Sequence, residues 1–108
     1  MDSIYLLITT VPSQDEAKNL AQETVENGLA ACVQIQAACQ SIYKWQGVVE
    51  AAVEYPIHFK TNESKKDALF KFIKEHHSYD VPEILSIKLD DIDPEYANWL
   101  NTQLVVNK

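Results

Sequence analysis

The sequence predicts an α+β fold: a βαββαβ sandwich with a long central β-hairpin and a short C-terminal helix, in one domain over residues 1–108. Three observations predict it. Residues 30–61 carry period-two alternation on both sides of Gln46-Gly47, the mark of paired strands with one dry and one wet face. Two segments with helical spacing, each opened by a capping residue, flank that hairpin. Two short apolar runs, residues 3–11 and 83–89, stand where the first and last strands of a βαββαβ order would fall.

The elements follow in order. Residues 3–11 form a β-rich apolar run that reads as a strand buried on both faces, ended by Pro12. Ser13 with Glu16 makes a capping box, and Ala17, Leu20, Ala21 and Val25 recur at helical spacing. Gly28 stands where a left-handed helix terminus falls. In the first hairpin arm Val33, Ile35, Ala37, Tyr43 and Trp45 share one parity, and Gln34, Gln36, Gln40 and Lys44 the other. In the return arm Val49, Ala51, Val53, Tyr55, Ile57 and Phe59 alternate with Glu50, Glu54, His58 and Lys60. Pro56 interrupts that arm and should mark a bulge or an edge, because proline donates no ladder hydrogen bond.

Thr61 or Asn62 caps a second helix with an apolar face of Ala68, Leu69, Phe72 and Ile73 that reaches His76, and Pro82 prevents its continuation. Asp93-Pro94 is an N-cap followed by proline at the first helical position, leading into Tyr96, Trp99 and Leu100. The tail from Val105 carries no clear pattern. Two βαβ halves joined through a hairpin make a ferredoxin-like sheet. Each hairpin arm of about 15 residues would reach roughly 50 Å, against a radius of gyration of about 13 Å for a compact chain of this length. The hairpin must bend, break at a bulge, or lie against another subunit, and self-association is expected.

Composition narrows the function. Hydrophobic content is 46% and charged content 23%, ordinary for a globular domain. No apolar run is long enough to span a bilayer, and Met1-Asp2-Ser3-Ile4 lacks the features of a signal peptide, so the expected location is cytoplasmic. The net charge is −7 and there is no arginine, which argues against nucleic acid. Lys60, Lys65, Lys66, Lys71 and Lys74 read as a solvated helix face. On an unbroken strand Cys32 and Cys39 would lie on opposite faces, too far apart for a disulfide. Free thiols suit a reducing compartment.

Several motifs together resemble the CutA-type divalent-cation-tolerance family. They are Gly28-Leu29-Ala30-Ala31-Cys32-Val33-Gln34-Ile35, then Ser41-Ile42-Tyr43-Lys44-Trp45-Gln46-Gly47 with Glu50, then Glu54 ahead of Lys60-Thr61. His77-Ser78-Tyr79 with Val81-Pro82-Glu83-Ile84, and Pro94 and Tyr96 with Trp99-Leu100, complete the set. The resemblance implies a ferredoxin-like fold, a homotrimer whose long strands pair across subunits, a cytoplasmic location and tolerance of divalent metals, copper especially. It implies no enzymatic activity. Two departures stand out: Ala37-Ala38-Cys39 replaces a Pro-Gly kink, and Thr9 and Phe72 stand where some members carry extra cysteines.

Candidate chemistry is sparse. Cys32 is a soft ligand suited to Cu(I), or else a small inert thiol; Cys39, on the apolar parity, reads as structural. His77 heads a loop motif and His76 ends the packed helix face; adjacent helical residues cannot jointly chelate unless the helix ends there. Asp90, Asp91, Asp93 and Glu95 lack calcium-loop spacing and read as a solvated turn. Tyr43, Trp45, Glu50, Lys60, Tyr79 and Glu83 form a mixed aromatic and charged group, read as interface anchors or a cleft at a subunit boundary. The leading expectation is a homotrimer that binds copper or another divalent cation through Cys32 and His77, with His76 a further metal candidate, for buffering or sensing rather than catalysis. No cofactor is expected to be required for folding. The alternative is a PII-like signalling module that holds a small anionic metabolite through Lys60.

Overall fold

The computed structural model describes residues 2–104; the tail from Val105 lies outside the described residues. The chain runs β1 (Ile4–Val11), α1 (Gln14–Glu26), β2 (Cys32–Ile35), β3 (Cys39–Trp45), β4 (Val48–Asn62), α2 (Glu63–His76), β5 (Ile84–Lys88) and α3 (Pro94–Gln103). The sheet order is β2-β4-β1-β5, all pairs antiparallel, with β3 continuing β2's side of β4. This is the predicted ferredoxin-like α+β arrangement.

Local chemistry sets the element ends. The Ser13 hydroxyl accepts from Glu16 N–H at 3.1 Å, Asn62 caps α2 by accepting from Lys65 N–H at 3.1 Å, and Asp93 caps α3 through Tyr96 N–H at 3.0 Å. The hairpin turns at Gln46 and Gly47, both with positive φ (49° and 81°), and Trp45 pairs with Val48. Two residues with φ > 0 match the right-handed twist of the flanking strands.

The core lies between one sheet face and α1 and α2. Leu7 pairs with Phe59, and both pack with Val11, Ile57, Ala17, Leu20, Leu69 and Ile73, all buried. In α1 the buried place expected for Val25 goes to Thr24, whose hydroxyl bonds the Ala21 carbonyl at 2.9 Å, while Val25 is exposed. In α2 Leu69 and Ile73 are buried but Ala68 faces solvent. The second sheet face is covered only at one end, where α3 sets Leu100 and Leu104 against Ile4 and Ala31. Leu85 and Ile87 remain exposed.

The first hairpin arm departs from unbroken alternation. β2 ends with Ile35 opposite Ile57, and β3 begins with Cys39 opposite Glu54. Three residues, 36–38, therefore stand against two, Tyr55 and Pro56, with Gln36 N–H bonding the Pro56 carbonyl at 2.8 Å. This one-residue bulge sits beside the proline that can donate no ladder bond. One extra residue flips every following side chain to the other face. Val33 and Ile35 share a face with Phe59 and Ile57, but Cys39, Tyr43 and Trp45 share the opposite face with Glu54, Glu50 and Val48. Cys39 is thus exposed rather than packed, and it shares its sheet face with Cys32, the partner of Lys60.

Past the bulge the hairpin leaves the body of the protein. The molecule measures 46 × 29 × 22 Å with a radius of gyration of 14.7 Å. Ile42, Trp45, Val48, Val49 and Val53 are all more than half exposed on this arm.

Candidate functional site

The flipped face builds a cleft. Tyr43 stands opposite Glu50 across the hairpin, and Trp45 is next along the same face. The wall facing them is the segment after α2, Ser78 to Glu83. Between the two lies a cavity of about 900 Å³ lined by Tyr43, Trp45, Glu50, Glu54, Tyr79 and Glu83, with Asp80 and Val81 at its side. Five of the six residues expected to group together line this one cavity; Lys60 does not. Its ammonium bonds Gln34 Oε1 at 3.0 Å and lies 5.5 Å from the centre of the Tyr96 ring.

Glu54 was legible only as part of a motif, on a parity that reads as solvent-facing. In the structure it is 8% exposed, and Tyr79 donates its phenol hydrogen to Glu54 Oε2 at 3.0 Å. Burial, and then the Glu54 carboxylate, push the Tyr79 phenol up to about 12. The phenol therefore keeps its proton at physiological pH and remains a donor to Glu54.

A chain of hydrogen bonds fixes the Tyr79 wall. His77 Nε2 bonds the Thr10 carbonyl of β1 at 2.8 Å, and Tyr79 N–H donates to His77 Nδ1 at 3.1 Å. A carbonyl can only accept and an N–H can only donate, so His77 is the neutral tautomer with its proton on Nε2. Both ring nitrogens are engaged. On the outer side, the Glu16 carboxylate accepts from Ser78 Oγ–H at 2.9 Å and from Ser78 N–H at 3.4 Å. Thr9 Oγ1 donates to the Glu83 carbonyl at 2.7 Å, which pins the start of β5.

The metal candidates are dispersed. Helix α2 ends at His76, so the two histidines part company. His76 stacks on Phe72 with ring centres 3.9 Å apart and puts Nδ1 2.9 Å from the Phe72 carbonyl, leaving Nε2 without a hydrogen-bond partner among the described residues. Cys32 is a free, half-buried thiol at the start of β2, an edge strand. Among the described residues, no three His, Cys, Asp or Glu side chains converge to hold a metal ion. Asp93 of the acidic turn is used as the α3 cap.

A family model described as CutA1 divalent ion tolerance protein matches residues 5–103 of this chain. The chain belongs to that family. It is 37% identical over 100 residues to the divalent-cation tolerance protein CutA of Yersinia pestis (strain Pestoides F), covering 93% of this chain and 84% of that protein. Among solved structures, CutA from Synechococcus elongatus PCC7942 superposes with a TM-score of 0.92 at 39% identity, covering 97% of this chain and 93% of that one. The protein described as the periplasmic divalent cation tolerance protein CutA from Archaeoglobus fulgidus superposes with a TM-score of 0.90 at 31% identity, over 94% and 99% of the two chains. These family names describe a tolerance protein rather than an enzyme. No helix among the described residues is long and apolar enough to cross a membrane.

Proposed function

We propose that this CutA1-family chain serves divalent-cation tolerance as a cytoplasmic homotrimer that binds copper or a similar cation for buffering or sensing and catalyses no reaction. One observation carries the reading: the free thiol of Cys32 lies at the start of a sheet edge, and among the described residues no three donors converge. A thiolate is a soft donor suited to Cu(I), and a lone donor makes a site only when a second copy completes it. The open edge of β2, the hairpin face that carries Ile42, Val49 and Val53, and the exposed Leu85 and Ile87 support coverage by further copies. His76, with Nδ1 on a backbone carbonyl and Nε2 open, is the better histidine donor; His77 has no nitrogen to give without losing a bond. The PII-like alternative needs Lys60 in the cleft, which carboxylates line instead. Free cysteines support a reducing compartment, which cell fractionation distinguishes from a periplasmic location.

The test is titration of the reduced protein with Cu(I) against a competing chelator, with the mass read by light scattering in the same buffer. Stoichiometric binding that is lost in Cys32→Ser, with the trimer intact, is the expected result. Unchanged affinity in Cys32→Ser would overturn the ligand, and a single-chain mass would overturn the assembly.

A further inference from the structure

The cleft is chemically unlike a copper site. Its charged lining is acidic: Glu50, Glu54, Asp80 and Glu83 contribute carboxylates, and among the described residues no lysine or histidine lines it. Tyr43, Trp45 and Tyr79 add aromatic faces, and three hydroxyl residues and two aliphatic ones complete the wall. The carboxylates do not converge on a point as a metal ion requires, since no such group of three occurs among the described residues. Negative charge distributed around an aromatic-walled cavity suits a cation with an apolar body. Aromatic faces attract ammonium groups through the ring quadrupole, and methylene groups gain from leaving water.

Glu54 adds an independent observation. More than nine-tenths buried, it lines the cleft, and its one hydrogen bond goes through Oε2 to Tyr79. No fully buried side-chain oxygen or nitrogen lacks a partner among the described residues, so Oε1, which has no such bond, keeps access to solvent in a residue that lines the cleft. The Tyr79 phenol, with its proton retained to about pH 12, holds Oε2 and leaves Oε1 free to accept from a ligand.

We propose that the cleft between the hairpin and the segment 78–83 is a binding site for an organic ammonium ion of the small aliphatic diamine class. One ammonium group meets Glu54 Oε1, the other meets Glu50, Asp80 or Glu83, and the methylene chain lies against Tyr43 and Trp45. This site is independent of the copper reading, because it uses neither Cys32 nor His76.

The protein has two tryptophans, and Trp99 lies on α3, outside the cleft. The full-length Trp99→Phe protein therefore reports from Trp45 alone. Its fluorescence is titrated with diaminobutane, with butanediol as the uncharged analogue, and with sodium chloride at matched ionic strength. A saturable change with the diamine only, weakened roughly tenfold or more by Glu54→Gln, is the expected result. Circular dichroism checks that variant's fold, and Glu83→Gln stands in for it if the fold is lost. An equal response to butanediol or to salt, no response to the diamine, or unchanged affinity in the folded carboxylate variant would overturn the site. Cu(I) titration of the same samples separates the two readings: copper binding retained while the diamine fails overturns this proposal alone.

Discussion

The two halves of strand β4 share one alternating pattern and meet opposite fates. From Ile57 to Thr61 the odd positions are fully buried under α1 and α2. From Val48 to Val53 equally apolar side chains stand in solvent, with Val49 66% and Val53 57% exposed. Alternation states which side chains share a face; it does not state what covers that face. The inner half finds its cover within the chain. The outer half extends past the helices, and its apolar surface is of the kind that a neighbouring subunit buries.

The contrast can be broken first at the core. Phe59→Ala should cost about 3–5 kcal/mol of stability, through lost transfer energy and the cavity left behind, read by urea unfolding. Val49→Asp with Val53→Asp should do something different. The inner fold should survive by circular dichroism, while light scattering shows the assembly falling to single chains. Loss of secondary structure in that double variant would mean the arm belongs to the fold and not to an interface.

The next test is at the cleft's back wall. His77→Ala removes the ring that joins the Thr10 carbonyl to Tyr79 N–H, and should cost about 1–3 kcal/mol with Cu(I) affinity unchanged. A lost copper site with unchanged stability would return His77 to the ligands. The Tyr79 phenol supplies a pH signature. Its folded value of about 12 lies above the ordinary tyrosine value of 10.0, so the neutral phenol is favoured in the folded state. The associated stability is fully present below pH 10 and is lost as pH rises toward 12. Tyr79→Phe should remove that component from the alkaline unfolding profile. The smallest effect is expected at exposed Cys39, where Cys39→Ser should change stability by less than about 0.5 kcal/mol.

Much of the fold is legible because its signals are local. The caps at Ser13, Asn62 and Asp93, the Gln46-Gly47 turn and the apolar face of α2 each depend on residues a few positions apart. The cleft is less legible because it depends on register. Nothing within residues 30–45 announces that one residue is extra; the hint is Pro56 on the other arm, which was expected to mark a bulge or an edge. That single bulge sends Tyr43, Trp45 and Cys39 to the face of Glu50 and Glu54. Glu54 looked like a solvent residue because its partner, Tyr79, lies 25 positions away. His76 was placed at the end of the packed helix face and His77 in a loop, and the helix does end between them; the partners of their rings, the Phe72 and Thr10 carbonyls, lie beyond what the sequence shows.

The most direct measurement is the solution mass of the wild-type chain by light scattering across micromolar concentrations. A mass three times the 12.3 kDa of one chain, held on dilution, is the predicted result: the bare half of β4 is then covered by copies, and Cys32 has neighbours to complete its site. A mass of 12.3 kDa would contradict it, leaving the hairpin arm uncovered and the copper reading without its second set of donors.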